Sequence, residues 1–222
     1  MKIVGKRRTS EDLTPIPPEE ALRRAAVLQA QAELLNPFPR PRGFVFKART
    51  REEYERWRKA PVQSEPLVIA MAHASSLLRV CQLLNEACAK YLICGAQACI
   101  LHGLVRTTED VDILVETSAE NCQRVIDGLA KLADGAAREL TPQDILENVV
   151  VKIADEVEVD VSMHAWKVTY ADAIASARET IVEGIRVPFL GLDDLIASKE
   201  TYRERDALDR ARLLELKKRT PN

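Results

Sequence analysis

Apolar positions recur at helical spacing over residues 19–35 and about 66–89 of this 222-residue chain, predicting two long helices. The pattern then changes period. Short apolar runs near 91–94, at 110–115, 147–154, 157–163, 179–183 and 185–190 predict strands, and helical spacing returns at 96–104, 119–133, 170–177, 192–202 and 204–218. Strands and helices mixed in this order predict an α/β (α+β) fold with a small mixed sheet flanked by helices. Proline clusters at Thr14-Pro-Ile-Pro-Pro and Asn36-Pro-Phe-Pro-Arg-Pro-Arg, with a capping pattern at Thr50-x-x-Glu53, mark a different organisation near the start. We therefore divide the chain into a basic, proline-punctuated helical N-terminal extension, residues 1–63, and a main domain, residues 64–222. So little apolar surface in the extension predicts that it wraps the core, packs on another subunit or stays mobile.

The stretch YLICGAQACILHGLVRTTEDVDILV, residues 91–115, carries the candidate chemistry. Successive side chains of a strand point to opposite faces, so Asp110 and Asp112 share one face while Val111, Ile113 and Val115 fill the other. Neighbouring carboxylates repel, and a shared proton or a bound cation relieves them. Gly95 opens a helix nearby, where unpaired N–H groups suit phosphate, and a magnesium–nucleotide site is the economical combination. In VEVDVSM, Asp160 between Val159 and Val161 has the parity to join the pair; Glu158 has the same parity and is its rival. Arg106 and Thr108 share the parity of the acids and could reach phosphate oxygens, Arg106 by a two-point contact.

Gly95-Ala96, then Asp110-Val-Asp112, then Asp160 between apolar residues resembles the signature of the nucleotidyltransferase superfamily related to DNA polymerase beta. Within it, the chain is similar to the minimal and abortive-infection-type (toxin–antitoxin) nucleotidyltransferases of bacteria over roughly residues 88–218. LGLDDLIASKETYRERDALDRARLLEL resembles the closing segment of those enzymes, which implies that Lys199 faces the triphosphate and that Asp206 and Asp209 follow on the next helix. In that family a second glycine or a serine usually follows the first glycine; Ala96 stands there in this chain and brings no hydroxyl to phosphate.

The resemblance implies a metal-dependent transfer of a nucleoside monophosphate from a nucleoside triphosphate to an acceptor hydroxyl. Asp110, Asp112 and Asp160 would be the catalytic metal ligands, with Gly95, Ala96, Arg106, Thr108 and Lys199 at the nucleotide. The cofactor would be magnesium or manganese: Asp110 and Asp112 hold an ion on the triphosphate, and Asp160 ligates a second one roughly 3.5–4 Å away. The acceptor is open among RNA, protein and a small molecule. The alternative is a catalytically weak nucleotide- or partner-binding module of the same fold, antitoxin-like or regulatory.

Other chemistry is less well provided for. Asp-Val-Asp-Ile-Leu also resembles the nucleophile motif of haloacid-dehalogenase-like phosphatases, but there the acids follow the strand and here they begin it. His164 and Trp166 could place a base beside Asp160, although a histidine leaving a strand is more often hydrogen-bonded structure. Cys94 precedes Gly95 without a base to activate it. The five cysteines form no CxxC pair and predict reduced, buried thiols in a cytoplasmic protein. No apolar run approaches the roughly 18 residues of a membrane span, and MKIVGKRRTSEDL lacks the apolar centre of a signal peptide.

Charge is unevenly spread. Residues 1–60 carry fourteen Lys or Arg against eight Asp or Glu, a net of +6, so the remainder is −8 for an overall −2. Arg40, Arg42, Lys47, Arg49, Arg51, Arg56, Arg58 and Lys59 are interleaved with Phe44, Phe46, Tyr54 and Trp57. Such a segment could bind single-stranded RNA by backbone attraction and stacking, or present a solvated basic face with its aromatics packed inward, or serve as an arm for homo-oligomer assembly.

Overall fold

The computed structural model describes residues 16–35, 42–59 and 73–219. Its centre is a mixed sheet of seven strands in the order β1-β4-β5-β3-β2-β9-β8. These are β1 (Phe44–Ala48), β2 (Tyr91–Ile93), β3 (Asp110–Val115), β4 (Val150–Ala154), β5 (Glu158–Ser162), β8 (Arg178–Val182) and β9 (Ile185–Phe189). The pairs β3–β5 and β2–β9 are parallel and the rest antiparallel. The two-residue strands β6 (His164–Ala165) and β7 (Val168–Thr169) form a separate hairpin. The α/β architecture expected from the hydrophobic pattern is the one observed.

Strand parity divides the sheet into two faces. One face buries Ile93, Val111, Ile113, Val115, Val151, Ile153, Val159 and Val161 in the larger core. Helices α1 (Pro18–Leu35), α3 (His73–Glu86) and α5 (Ala119–Leu129) cover it with Leu22, Leu77, Leu84, Val125 and Ile126. Gly128 lets α3 and α5 approach closely, since a Cβ there would lie 3.0 Å from the Leu83 carbonyl. The opposite face is covered in two patches. Leu92, Leu114 and Leu190 pack under α4 (Gly95–Leu101), α8 (Leu192–Ser198) and α9 (Glu204–Arg219). At the other end Ala48 and Val150 pack with Tyr54 of α2 (Arg51–Arg58). The acidic positions of β3 and β5 lie between these patches.

Several boundaries differ from the periodicity. Helix α4 stops at Leu101 because Gly103 turns with φ +93°, and α5 gives way after Leu129 to a turn and a 3-10 segment, Ala136–Glu139. Helix α6 (Pro142–Glu147) and α7 (Tyr170–Ala173) are short, each opened by a threonine capping box at Thr141 and Thr169. The expected helix at 19–35 is present, and Ala21, Leu22 and Ala25 are buried in the main core. Thr50 caps α2 as expected, accepting from Glu53 N at 3.1 Å. Strand β1 was not anticipated: its antiparallel pairing with β4 brings Phe44–Ala48 into the sheet. The expected boundary near residue 64, residues 14–15 of the first proline cluster and 36–41 of the second, and the first turns of the helix at 66–89 lie outside the described residues.

The basic segment is largely engaged with the fold. Arg42 pairs with Asp134 at 2.8 Å and Lys47 with Asp144 at 2.7 Å. Phe46 stacks on Trp57 with centroids 4.6 Å apart, Phe44 meets the same ring edge-on, and Tyr54 is buried. The aromatics of this segment thus pack on one another and on β4, which is the inward-facing arrangement of the three.

Candidate active site

Register brings the acids together. On the parallel pair β3–β5, Asp110 lies opposite Glu158 and Asp112 opposite Asp160. Every one of these side chains has the parity of Leu114 and faces away from the larger core. Asp160 is 3% exposed. Asp110 and Asp112 are half-buried, and Thr108 Oγ1 donates to Asp110 Oδ1 at 3.1 Å. Thr108 therefore orients the first carboxylate.

Gly95 adopts φ +60°, a left-handed conformation that side-chain-bearing residues rarely take. The Cys94 N–H donates to the Asp112 carbonyl at 3.0 Å and pins this turn against β3. A Cβ on Gly95 would lie 2.9 Å from Asp112 Cβ and overlap its carboxylate. Glycine thus lets the Asp112 carboxylate lie directly against the Gly95 backbone. Ala96 is buried behind it, at the first turn of the seven-residue α4.

A residue the hydrophobic pattern did not single out sits in the middle of the acids. Lys152 of β4 lies opposite Asp160 in the antiparallel register and is 2% exposed. Its Nζ is 2.9 Å from Asp160 Oδ1, 3.0 Å from Glu158 Oε2 and 3.9 Å from Asp110 Oδ2. The contact to Asp160 Oδ1 is an ion pair poorly aligned for a hydrogen bond, so that buried oxygen has no hydrogen-bond partner. Tyr54 of α2 donates its hydroxyl to Asp160 Oδ2. The sequence signal for Lys152 is a single charge inside the apolar run VVVKIA, which a buried strand tolerates only with partners.

Electrostatics follow from this crowding. Burial pushes Asp160 up to about 7; Lys152 opposes the shift, Asp110 and Asp112 add to it, and the Tyr54 bond opposes it. Asp112 is also raised, first by burial and then by Asp110, against the pull of Lys199, Lys152 and Arg58. Burial works against the charge of Lys152, yet Asp160, Glu158 and Asp110 together hold its pKa above the ordinary lysine value. Tyr54 is raised, chiefly by burial and the Asp160 charge, and stays a hydrogen-bond donor.

A stability consequence has a definite sign. The unfolded Asp160 ionises near 3.8 and the folded one near 7, so between those values the native state holds a proton that the unfolded state has lost. Stability of the metal-free protein should therefore be greatest at the acidic end of this window and fall as pH rises from about 4 to about 7. Thermal melts across that range should show the fall, and Asp160→Asn should flatten it; a wild-type profile rising with pH would contradict the assignment.

The second half of the predicted set forms its own cluster. Lys199, at the end of α8, is 8% exposed; its Nζ is 2.9 Å from Asp206 Oδ1 and 3.6 Å from Asp209 Oδ2. Arg106 pairs with the same Asp209 carboxylate, so Arg106 and Lys199 meet through it. Burial opposes the Lys199 charge, while Cys99, Asp206 and Asp112 favour it, which places the ammonium within electrostatic reach of Asp112. Arg203 pairs with Glu55 of α2 and ties this cluster to the N-terminal segment.

The competing candidates separate from the site. Burial raises the Cys94 thiol well above its ordinary value, which suits a core side chain and not a nucleophile. His164 is exposed at the start of β6. Four cysteines are buried and free as expected, but Cys88 is exposed, because the chain leaves α3 there through a left-handed turn at φ +54°.

The donor chemistry of Asp110 and Asp112, two carboxylates on one face of β3, fits a hard divalent cation. Among the described residues no group of three His, Cys, Asp or Glu side chains converges as a ready metal cage. At Asp160 the Lys152 ammonium stands beside one oxygen and Tyr54 donates to the other.

No protein-family model matches the chain, and no curated protein matches it in sequence. Among solved structures, the crystal structure of an antigenic nucleotidyltransferase-like protein from Paracoccidioides brasiliensis is similar, with a TM-score of 0.43 and 16% identity, over 64% of this chain and 73% of that one. Among the described residues no helix is long and apolar enough to cross a membrane.

Proposed function

We propose that this chain transfers a nucleoside monophosphate from a nucleoside triphosphate to an acceptor hydroxyl, with Asp110, Asp112 and Asp160 as its acidic centre. The observation that carries the reading is the in-register pairing of Asp112 with Asp160 on parallel strands, beside a helix-opening glycine whose missing side chain lets the Asp112 carboxylate lie against its backbone. The abortive-infection-type assignment belongs to the same reading and rests on the tail from Gly191 to Leu216, which supplies Lys199, Asp206 and Asp209.

In the transfer, the acceptor oxygen bonds to the α-phosphorus, the bond from that phosphorus to the bridging β-phosphate oxygen breaks, pyrophosphate departs and the acceptor proton passes to solvent. A magnesium or manganese ion held by Asp110 and Asp112 would supply the positive charge that stabilises the departing pyrophosphate. Thr108 fixes the Asp110 carboxylate that would hold this ion. Gly95 admits a phosphate close to the backbone. Lys199 and Arg106 would offset triphosphate charge while their shared partner Asp209 holds both in place.

Incubating the purified protein with α-labelled nucleoside triphosphates, magnesium and cell RNA or lysate tests the reading and names the acceptor class. Label on RNA, protein or a small molecule supports it. Nucleotide bound without any transfer would leave a binding module of the same fold.

A further inference from the structure

The acidic centre already contains a cation. Lys152 occupies the interior of the cluster, within 3.0 Å of both Asp160 and Glu158 and within 3.9 Å of Asp110. It cannot swing to solvent, because Trp57 lies over its ammonium at 5.9 Å and its side chain is buried. Asp160 Oδ1, the oxygen left without a hydrogen bond, is the one the ammonium stands beside. The other oxygen accepts from Tyr54.

Charge balance points the same way. Asp110, Asp112, Glu158 and Asp160 bring four negative charges to this face of the sheet; Lys152 sits among them and Arg58 acts on Asp110, Asp112 and Asp160 from α2. A second metal ion, beside Asp160, would stand a few ångströms from the Lys152 ammonium and be repelled by it. Lys199 does not alter this balance, since Asp206 and Asp209 offset it locally.

We propose that Lys152 is a resident cation that takes the place of a second metal ion, so that the centre binds a single divalent cation on Asp110 and Asp112 while Lys152 and Tyr54 hold Asp160. Lys152 is on this account a positioning residue. The inference rests on the proposed function above, and it assigns Asp160 to the lysine and tyrosine where the family resemblance implies a second metal.

Counting Mn2+ ions bound to the full chain by electron paramagnetic resonance, with and without a non-hydrolysable nucleoside triphosphate analogue, tests it without recourse to turnover. The expected result is one Mn2+ per wild-type chain, one in Asp160→Asn and none in Asp112→Asn. Lys152→Met that retains a cooperative melt should bind two. Where Lys152→Met fails to fold, the wild-type and Asp160→Asn counts decide the matter. Two ions on the wild type, loss of the ion in Asp160→Asn, or a folded Lys152→Met that still binds one would overturn the role of Lys152 and leave the transfer reaction standing. No Mn2+ on the wild type, even with the analogue, would overturn the metal-dependent reading itself.

Discussion

Asp112→Asn is expected to abolish nucleotidyl transfer while raising the melting temperature of the metal-free protein. The two effects have one cause. Asp112 is held beside Asp110 and opposite Asp160, and its raised pKa records that burial and Asp110 disfavour its charge. Asparagine keeps the shape and removes the repulsion, so the apo fold gains. The same change deletes a ligand of the proposed cation, and loss of one group that stabilises developing charge costs on the order of 10²–10³ in rate or more. Labelled-nucleotide assays and thermal melts on the same preparation check both signs. Retained transfer would remove the metal role of Asp112, and a lower melting temperature would mean that the carboxylate is net stabilising where it stands.

Lys199→Ala should destabilise the protein by about 3–5 kcal/mol, the usual cost of removing one partner from a buried charge pair. Read from sequence alone, Lys199 on an acidic helix has the look of a surface residue whose loss would spare the fold. The structure places it otherwise: Asp206 and Asp209 are 6% and 4% exposed, and without the ammonium Asp209 is left with Arg106, and Asp206 with Thr201 and a more distant Arg203. Denaturant unfolding of Lys199→Ala and of Lys199→Ala with Asp206→Asn separates the contributions, since the second change relieves part of the deficit. A cost below about 1 kcal/mol would show that the pair is more solvated than its burial indicates. Nucleotide affinity, measured under conditions where the variant stays folded, should fall by about 1–3 kcal/mol if Lys199 also meets the triphosphate.

The sequence shows the parity of Asp110, Asp112 and Asp160 because each sits in a strand whose other residues are apolar, and alternation then dictates the face. It does not show β1. That strand is five residues long and pairs with β4 about a hundred positions away, so its burial depends on a partner no local window contains. Lys152 escaped for a related reason. Its meaning comes from Asp160 and Glu158 across the β4–β5 pair, and only the register reveals that one lysine is shared among three acids. Arg106 and Lys199 have suitable positions in the chain, but their convergence on Asp209 depends on the packing of α8 against α9 and on the path of the loop before β3.

The short helix α2 connects these findings. Tyr54 reaches Asp160, Trp57 covers Lys152, and Glu55 pairs with Arg203 beside the Lys199 cluster, so one helix contacts both halves of the candidate site. Of the aromatic residues in this segment Tyr54 is buried, and the half-buried Phe44, Phe46 and Trp57 pack on one another. Of the basic residues in this segment, Arg58 acts on Asp110, Asp112 and Asp160, whereas Arg42 and Lys47 pair with Asp134 and Asp144.

Calorimetric titration of the full chain with nucleoside triphosphate, in magnesium and again with the metal chelated, bears most directly on the claim that these acids form a cation-dependent nucleotide site. The account predicts binding in magnesium that is lost on chelation. Equal affinity in both conditions, or no binding of any nucleoside triphosphate in magnesium, would contradict it.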